Sequence, residues 1–369
     1  MRAAVMSEPG GPEVFRVEER PDPVMGPDEV LVAVRASALN RADLGQRRGG
    51  YPAPPGIPQD IPGLEAAGDV IAVGERVTQW RVGDRVMALL GGGGYASRVA
   101  VHERMAMRIP DGLTYEQAAS IPEVFLTAFD AIVLQCGLVS GESVLIHAVG
   151  SGVGTAAVQI AAAMSCMTFG TAGSADKLER ARALGLEVGI NYRDEDFAAV
   201  VQERTGGRGV EVILDVIGGP YWQQNLASLA VQGRMIIVGS MGGSKVDDLG
   251  MLSRKRASVR GTGLRGRPLE EKATLTQEFV RRVLPLIARG RIVPVIDCVY
   301  PRGGCRGASA DGVERELRQD RAGDRRRIAI PIDAGSPSTG ASSCAPPWFG
   351  RRARGWTTMG TTAGGVRVG

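Results

Sequence analysis

Six residues, Val149-Gly150-Ser151-Gly152-Val153-Gly154, follow the apolar run SVLIHA and lead into the alanine-rich stretch TAAVQIAAAMS. A strand passing through a glycine turn into a helix offers bare backbone N–H groups and the positive end of the helix dipole. That is the chemistry that holds the pyrophosphate of a dinucleotide. The match to Gly-x-Gly-x-x-Gly is imperfect, because Thr155 stands where the third glycine belongs. A glycine turn without a ligand therefore stays open as a reading. The next strand-like run ends in Gly170-Thr171-Ala172-Gly173-Ser174, with no acidic residue to bond a ribose 2′-hydroxyl. Small residues leave room for a 2′-phosphate there, Ser174 can donate to it, and Lys177 one turn later supplies charge. This pattern favours NADPH. A solvated helix lysine is the competing reading of Lys177, and Asp176 beside it weakens the phosphate assignment.

Other reactive side chains are sparse. The chain has two histidines, His102 and His147, and five scattered cysteines, Cys136, Cys166, Cys298, Cys305 and Cys344. Their spacing fits neither a disulfide framework nor a structural zinc site, and implies thiols kept in a reducing compartment. His147, at the end of an apolar strand, reads as a hydrogen-bonded structural histidine rather than an acid–base catalyst. Cys136 and Cys166 read as packed thiols rather than nucleophiles.

The elements that must position these residues fall into two patterns. Residues 1 to about 120 carry short β-type runs (VFRVEERPDP, DEVLVAVRASAL, GDVIAVG, DRVMAL) broken by Gly and Pro, which suits a barrel-like, mostly antiparallel domain. TYEQAASIPEVFLTAFDAIVLQ has helical spacing, and from Glu142 onward strand-like and helix-like runs alternate: SVLIHA, CMTFGTAG, EVGINY, VEVILDVIG and RMIIVGSMG are the strands. That alternation predicts a parallel sheet covered on both faces. The fold class is α/β, a β-rich domain joined to a doubly wound sheet, and 369 residues suffice for both cores. The formal charge of +4 gives no case for nucleic-acid binding, because residues 302–369 hold twelve arginines against six acidic residues and leave the body slightly acidic. The N-terminus lacks a signal-peptide pattern and no apolar run is long enough for a membrane span, so a cytoplasmic protein is expected.

Several segments occur together and in order over residues 1–301: LNRADLGQRRGGYPAPPG, IPGLEAAGDV, IPEVFLTAFDA, VLIHAVGSGVGTAAVQ, TAGSADKLERARALG, INYRDEDF and VILDVIGGPYW. In these the chain resembles the quinone oxidoreductases of the zinc-independent medium-chain dehydrogenase/reductase superfamily, and most nearly their p53-inducible branch. The resemblance implies a GroES-like substrate domain over 1–122, a Rossmann NADPH-binding domain over 123–265, and a return to the substrate domain over 266–301. It implies NADPH-dependent reduction of quinones or related electrophiles by a homodimer, with enoyl or enone reduction as the alternative.

By motif, the resemblance places Ser151, Gly152 and Val153 at the pyrophosphate, and Gly173, Ser174, Lys177 and Tyr192 around the adenosine 2′-phosphate. Ile217 and the run Val238, Gly239, Ser240 and Met241 approach the nicotinamide half. Asn40, Tyr51 and Thr127 line the nicotinamide and substrate pocket. Ser151 departs from the glycine that many quinone reductases carry there. Zinc-dependent relatives use a cysteine where Asn40 stands and a histidine where Leu64 stands, so no metal is expected, and Glu65 reads as a structural carboxylate. Asn40 and Tyr51 are the expected catalytic pair: both hydrogen-bond the substrate oxygen, and Tyr51 or water supplies the proton. A packed loop aromatic beside Pro52 is the competing reading of Tyr51.

The resemblance stops at Tyr300-Pro301. Residues 302–369 are rich in Arg, Gly and Ser and contain no lysine. Joining the last two bases of each codon to the first base of the next permits EEAAEAHRRMESNENFGKIVL over residues 302–323, a helix and strand like the family's usual ending. The segment thus reads as a frameshifted tail, largely disordered, in which RRRIAIPID could occupy a strand position by accident, with Pro331 favouring an edge. An NADPH-binding protein with little turnover follows as a third functional reading.

Overall fold

Valine-rich runs with one buried face make the first third of the chain antiparallel sheet. In the computed structural model, which describes residues 1–246, 249–299 and 328–331, strands β1 (Arg2–Met6) and β2 (Phe15–Glu19) pair as a small separate sheet. Strand β3 (Glu29–Leu39) buries Val30, Val32, Val34 and Ala36 on one face, the period of two that a half-buried strand requires. It pairs antiparallel with β4 (Glu65–Val73), which pairs with β5 (Arg85–Leu89). Strand β6 (Arg98–His102) joins the opening half of β3, and β7 (Ala106–Arg108) closes against β5.

The segment predicted as helical from Tyr115 onward is interrupted. Helix Tyr115–Ala119 stops, Pro122 opens a second helix over Pro122–Phe129, and a π-helical turn follows over Asp130–Gln135. Proline is favoured at a first helical position because its missing N–H would be unpaired there anyway.

The parallel sheet comprises β8 (Ser143–Ile146), β9 (Met167–Ala172), β10 (Val188–Asn191), β11 (Val210–Asp215), β12 (Leu229–Ile237) and β13 (Ser258–Gly261). Their spatial order is β10-β9-β8-β11-β12-β13, with every neighbouring pair parallel. This is the dinucleotide-binding order, and its direction reverses between β8 and β11, where such sheets open a crevice. All four residues of β8 are buried. Val144 and Ile146 join the core shared with the antiparallel domain, whereas Leu145 faces the opposite apolar cluster with Phe169 and Ile213. A strand covered on both faces must be apolar throughout, as SVLI nearly is.

Helix Leu269–Arg282 returns to the antiparallel part of the molecule, with Arg104 gripping Glu270 through two hydrogen bonds of 2.9 and 2.7 Å and Phe279 edge-on to Phe129. Strand β14 (Cys298–Val299) follows. Strand β15 (Ile328–Pro331), the run IAIP, lies between β14 and the second half of β3. It is an interior strand, not the edge that Pro331 suggested. Among the described residues β14 pairs with Ile328 and Ala329, and Pro331 stands opposite Ala36 of β3. The remainder of residues 302–369, and with it the reading of a disordered, frameshifted tail, lies outside the described residues.

Candidate active site

The glycine turn after β8 is built by a cap and one obligatory glycine. Ser151 is the N-cap of helix Gly152–Ala163, and its hydroxyl accepts the Gly154 N–H at 3.0 Å. A Cβ on Gly154 would lie 2.5 Å from the Ala148 carbonyl oxygen and 2.8 Å from Val149 Cα. The tight helix–strand approach expected at the Thr155 position therefore falls one residue earlier. Thr155 instead turns its hydroxyl onto the Gly152 carbonyl at 3.0 Å. His147, just before the turn, is fully buried: Nδ1 lies 2.9 Å from Thr171 Oγ1 and Nε2 2.6 Å from Asn225 Oδ1. Burial pulls its imidazole pKa down, so the neutral form is favoured. It is structural.

At the end of β9, Gly173, Ser174, Lys177 and Tyr192 gather beside this turn. A Cβ on Gly173 would meet the Tyr192 hydroxyl at 2.6 Å and Arg193 Nε at 3.2 Å. Lys177 is buried rather than solvated, and its aliphatic stem lies 3.3–3.4 Å from where a Gly150 Cβ would stand. The stem thus packs across the glycine turn.

A cleft of about 440 Å³ opens between the parallel sheet and the antiparallel domain. Ser151, Gly152, Val153, Val238, Gly239 and Met241 line it from the sheet side, and Asn40, Tyr51 and Thr127 from across. Leu39, Leu64, Leu89, Leu90 and Val124 make that wall apolar. Ile217 and Ser240 do not line the cleft; Ile217 donates its N–H to Asp215 and accepts from Gly242. The four residues at the end of β9 lie outside this cleft.

The zinc-binding dehydrogenase family matches residues 152–282, and the alcohol dehydrogenase GroES-like domain family matches residues 26–111. A quinone oxidoreductase of Lama guanicoe is 32% identical over 303 residues, covering 82% of this chain and 90% of the relative. The chain belongs to the quinone oxidoreductase family of medium-chain dehydrogenases/reductases. It is an oxidoreductase. Among solved structures, the quinone oxidoreductase of Escherichia coli in complex with NADPH superposes with a TM-score of 0.76 at 28% identity, over 90% of this chain and all of the other. The CurK enoyl reductase gives 0.74 at 28% identity, over 90% and 99%.

In this member of the quinone oxidoreductase family the polar groups of the cleft are already partly committed. Asn40 Nδ2 donates to Glu65 Oε1 at 2.8 Å, and Glu65 Oε2 accepts the Glu123 N–H at 2.8 Å. Glu65 is fully buried, a structural carboxylate as the sequence suggested. Behind Asn40, Asp43 accepts from the Asn40 N–H at 2.7 Å, from the Tyr95 hydroxyl at 2.7 Å and from the Gly63 N–H at 3.2 Å. Desolvation outweighs these bonds and pushes its carboxyl up to about 6. Tyr51 is 39% exposed. Burial raises its phenol above the usual range, while the Arg265 cation over its ring works against that.

Cys136 and Cys166 are buried, their thiols pushed up to about 11 by desolvation, which makes them poor nucleophiles at neutral pH. Among the described residues no group of three or more His, Cys, Asp or Glu could hold a metal ion, and no helix is long and apolar enough to cross a membrane. Sequence reasoning missed Asp43, Glu123, Arg193 and Arg265. Arg193 adjoins Tyr192, so its neighbour's position was a usable signal. Arg265 had none, because its partners lie more than 170 residues away in the chain.

Proposed function

We propose that this protein is a cytoplasmic NADPH-dependent reductase of quinones that works without zinc. The observation that carries the reading is one cleft in which the capped glycine turn, Ser151 to Val153, faces Asn40, Tyr51 and Thr127 across an apolar wall. The residues fit the cofactor. Helix Gly152–Ala163 aims its N-terminus at the turn, where bare N–H groups suit a pyrophosphate. Arg193 lies beside Gly173 and Lys177 beside Gly150, and no acidic side chain takes the Gly173–Ser174 position, which favours a 2′-phosphate over a free 2′-hydroxyl. The cofactor, when bound, supplies a hydride.

The chain's own residues handle the electrophile. Asn40, oriented by its bond to Glu65, is the polar side chain of the antiparallel domain placed to meet a substrate oxygen. Tyr51 donates a proton to the oxygen as negative charge develops on it, and the leucine-lined wall excludes water. A conjugated quinone needs no Lewis acid for this. Both oxygens of Glu65 are bonded, and Asn40 and Leu64 are not zinc ligands, which supports the zinc-independent reading.

The likeness to an enoyl reductase keeps enone reduction as a second reading. We assign residues 1–122 and 266–301 to the substrate domain and 123–265 to the cofactor domain. A homodimer is consistent with β13, whose outer edge pairs with no strand among the described residues.

The test is a steady-state survey of NADPH and NADH oxidation against 1,4-naphthoquinone, 9,10-phenanthrenequinone and enones, with and without EDTA. NADPH-dependent quinone turnover insensitive to EDTA is expected. Preference for NADH, or loss of activity on chelation, would overturn the reading. NADPH binding with no turnover would leave a nucleotide-binding protein only.

A further inference from the structure

Arg265 follows β13 and so belongs to the cofactor side of the cleft, yet every partner of its guanidinium lies in the antiparallel domain. Nε donates to the Gly91 carbonyl at 2.7 Å, Nη1 to the carbonyls of Tyr51 at 2.9 Å and Pro52 at 3.3 Å, and Nη2 to Gln46 Oε1 at 2.6 Å. The guanidinium carbon sits 5.0 Å from the centre of the Tyr51 ring. Arg265 is only 6% exposed; its guanidinium hydrogen bonds go to neutral acceptors, and the Asp43 carboxylate attracts it without a hydrogen bond. A buried cation hydrogen-bonded only to neutral acceptors is costly to desolvate, and a neutral side chain could fill a merely structural corner with less penalty.

We propose that Arg265 is the positioning residue of this site, a clasp across the two domains that holds the Tyr51 loop so that the phenol faces the bound electrophile. This rests on the reductase reading above. Its carbonyl contacts fix the backbone at Tyr51 and Pro52, and its planar face fixes the ring. Arg265 itself acts through Tyr51. The neighbouring residues Thr262, Gly263 and Leu264 line the cleft, so the clasp also sets the spacing of the two walls.

Two measurements test this. In the holoprotein, Arg265→Gln should lower quinone kcat/KM about tenfold to a hundredfold, mostly in kcat, with NADPH affinity within about twofold. In a Tyr51→Phe background the same change should cost less than about threefold, because the residue it positions is already disabled. Equal losses in both backgrounds would overturn the proposal. Without substrate, hydrogen exchange at the bonded amides of Arg48, Gly49 and Gly50 should quicken about tenfold in Arg265→Gln, and exchange in the parallel sheet should not change. Unchanged exchange would also overturn it. If Arg265→Gln does not fold, Arg265→Lys carries both tests, with smaller losses of the same pattern expected and an additive cycle counting against the clasp. A wild-type protein inactive on quinones and enones would sink the reductase reading, while the exchange result would still decide whether the clasp exists.

Discussion

Asn40 and Glu65 share a hydrogen bond of 2.8 Å, and the second Glu65 oxygen holds the start of helix Pro122–Phe129 through the Glu123 N–H. One buried carboxylate therefore aligns a cleft residue from the antiparallel domain with the helix that carries Thr127. Glu65→Gln can accept from only one of these donors and leaves the other unanswered. We expect a loss of about 1–3 kcal/mol, read as a lower melting temperature, with NADPH affinity nearly unchanged. Wild-type stability in this variant would mean that the pair does not fasten the two elements.

Tyr51→Phe should reduce quinone kcat by about tenfold or more while leaving NADPH affinity intact, since the phenol is assigned to proton delivery. Unchanged kcat and KM would remove Tyr51 from the mechanism and leave water as the donor.

Lys177→Ala and Arg193→Ala should each weaken NADPH binding about tenfold to a hundredfold, the scale of one charge-assisted hydrogen bond, and affect NADH far less. Cofactor fluorescence titration separates the two. A parallel loss for both cofactors would assign Lys177 to the pyrophosphate, towards which its stem already leans at Gly150.

Gly154→Ala forces a methyl to within 2.5 Å of a backbone oxygen that belongs to the same turn. Because backbone, not a flexible side chain, is in the way, strain of about 1–3 kcal/mol is expected. Thermal melting and NADPH affinity should fall together, whereas Thr155→Gly should leave the cofactor site working.

Asp43 sets a pH dependence. Its folded carboxyl titrates at about 6, above the unfolded value of about 3.8, so the folded state binds the extra proton between these values. The stability it contributes is complete below about pH 3.8 and is lost as pH rises through 6. Tyr95→Phe removes a hydrogen bond that favours the carboxylate, so the titration should move higher still. Carboxyl NMR of Asp43 reads both, and a midpoint near 4 would contradict the assignment.

The fold and the cofactor half of the site were largely legible because their signals are local. An apolar strand, a glycine turn and a small-residue strand end sit within 35 residues, and backbone geometry dictates them. The cleft's second wall was legible only where family motifs marked it, as at Asn40 and Tyr51. What escaped was long-range. The role of Gly154 depends on how closely a helix crosses a strand, and the competing reading of Lys177 as a solvated residue fails on its burial, with its stem across Gly150. Arg265 meets Gln46, Tyr51 and Gly91 only after both domains have formed, so no periodicity or spacing announces it. Pro331 misled because which strands flank it is a tertiary fact.

His147 joins Thr171 on β9 to Asn225 on helix Trp222–Ser228, and Asn225 passes the connection to Asp215 at the end of β11. The chain of side chains therefore spans the reversal point of the sheet like the voussoirs of an arch, each stone seated by the next. The crevice is in this way braced: spreading β9 from β11 would break the bonds of a fully buried imidazole. Dinucleotide binding should then resemble docking into a set frame, with its entropy penalty falling on the ligand and little on the sheet.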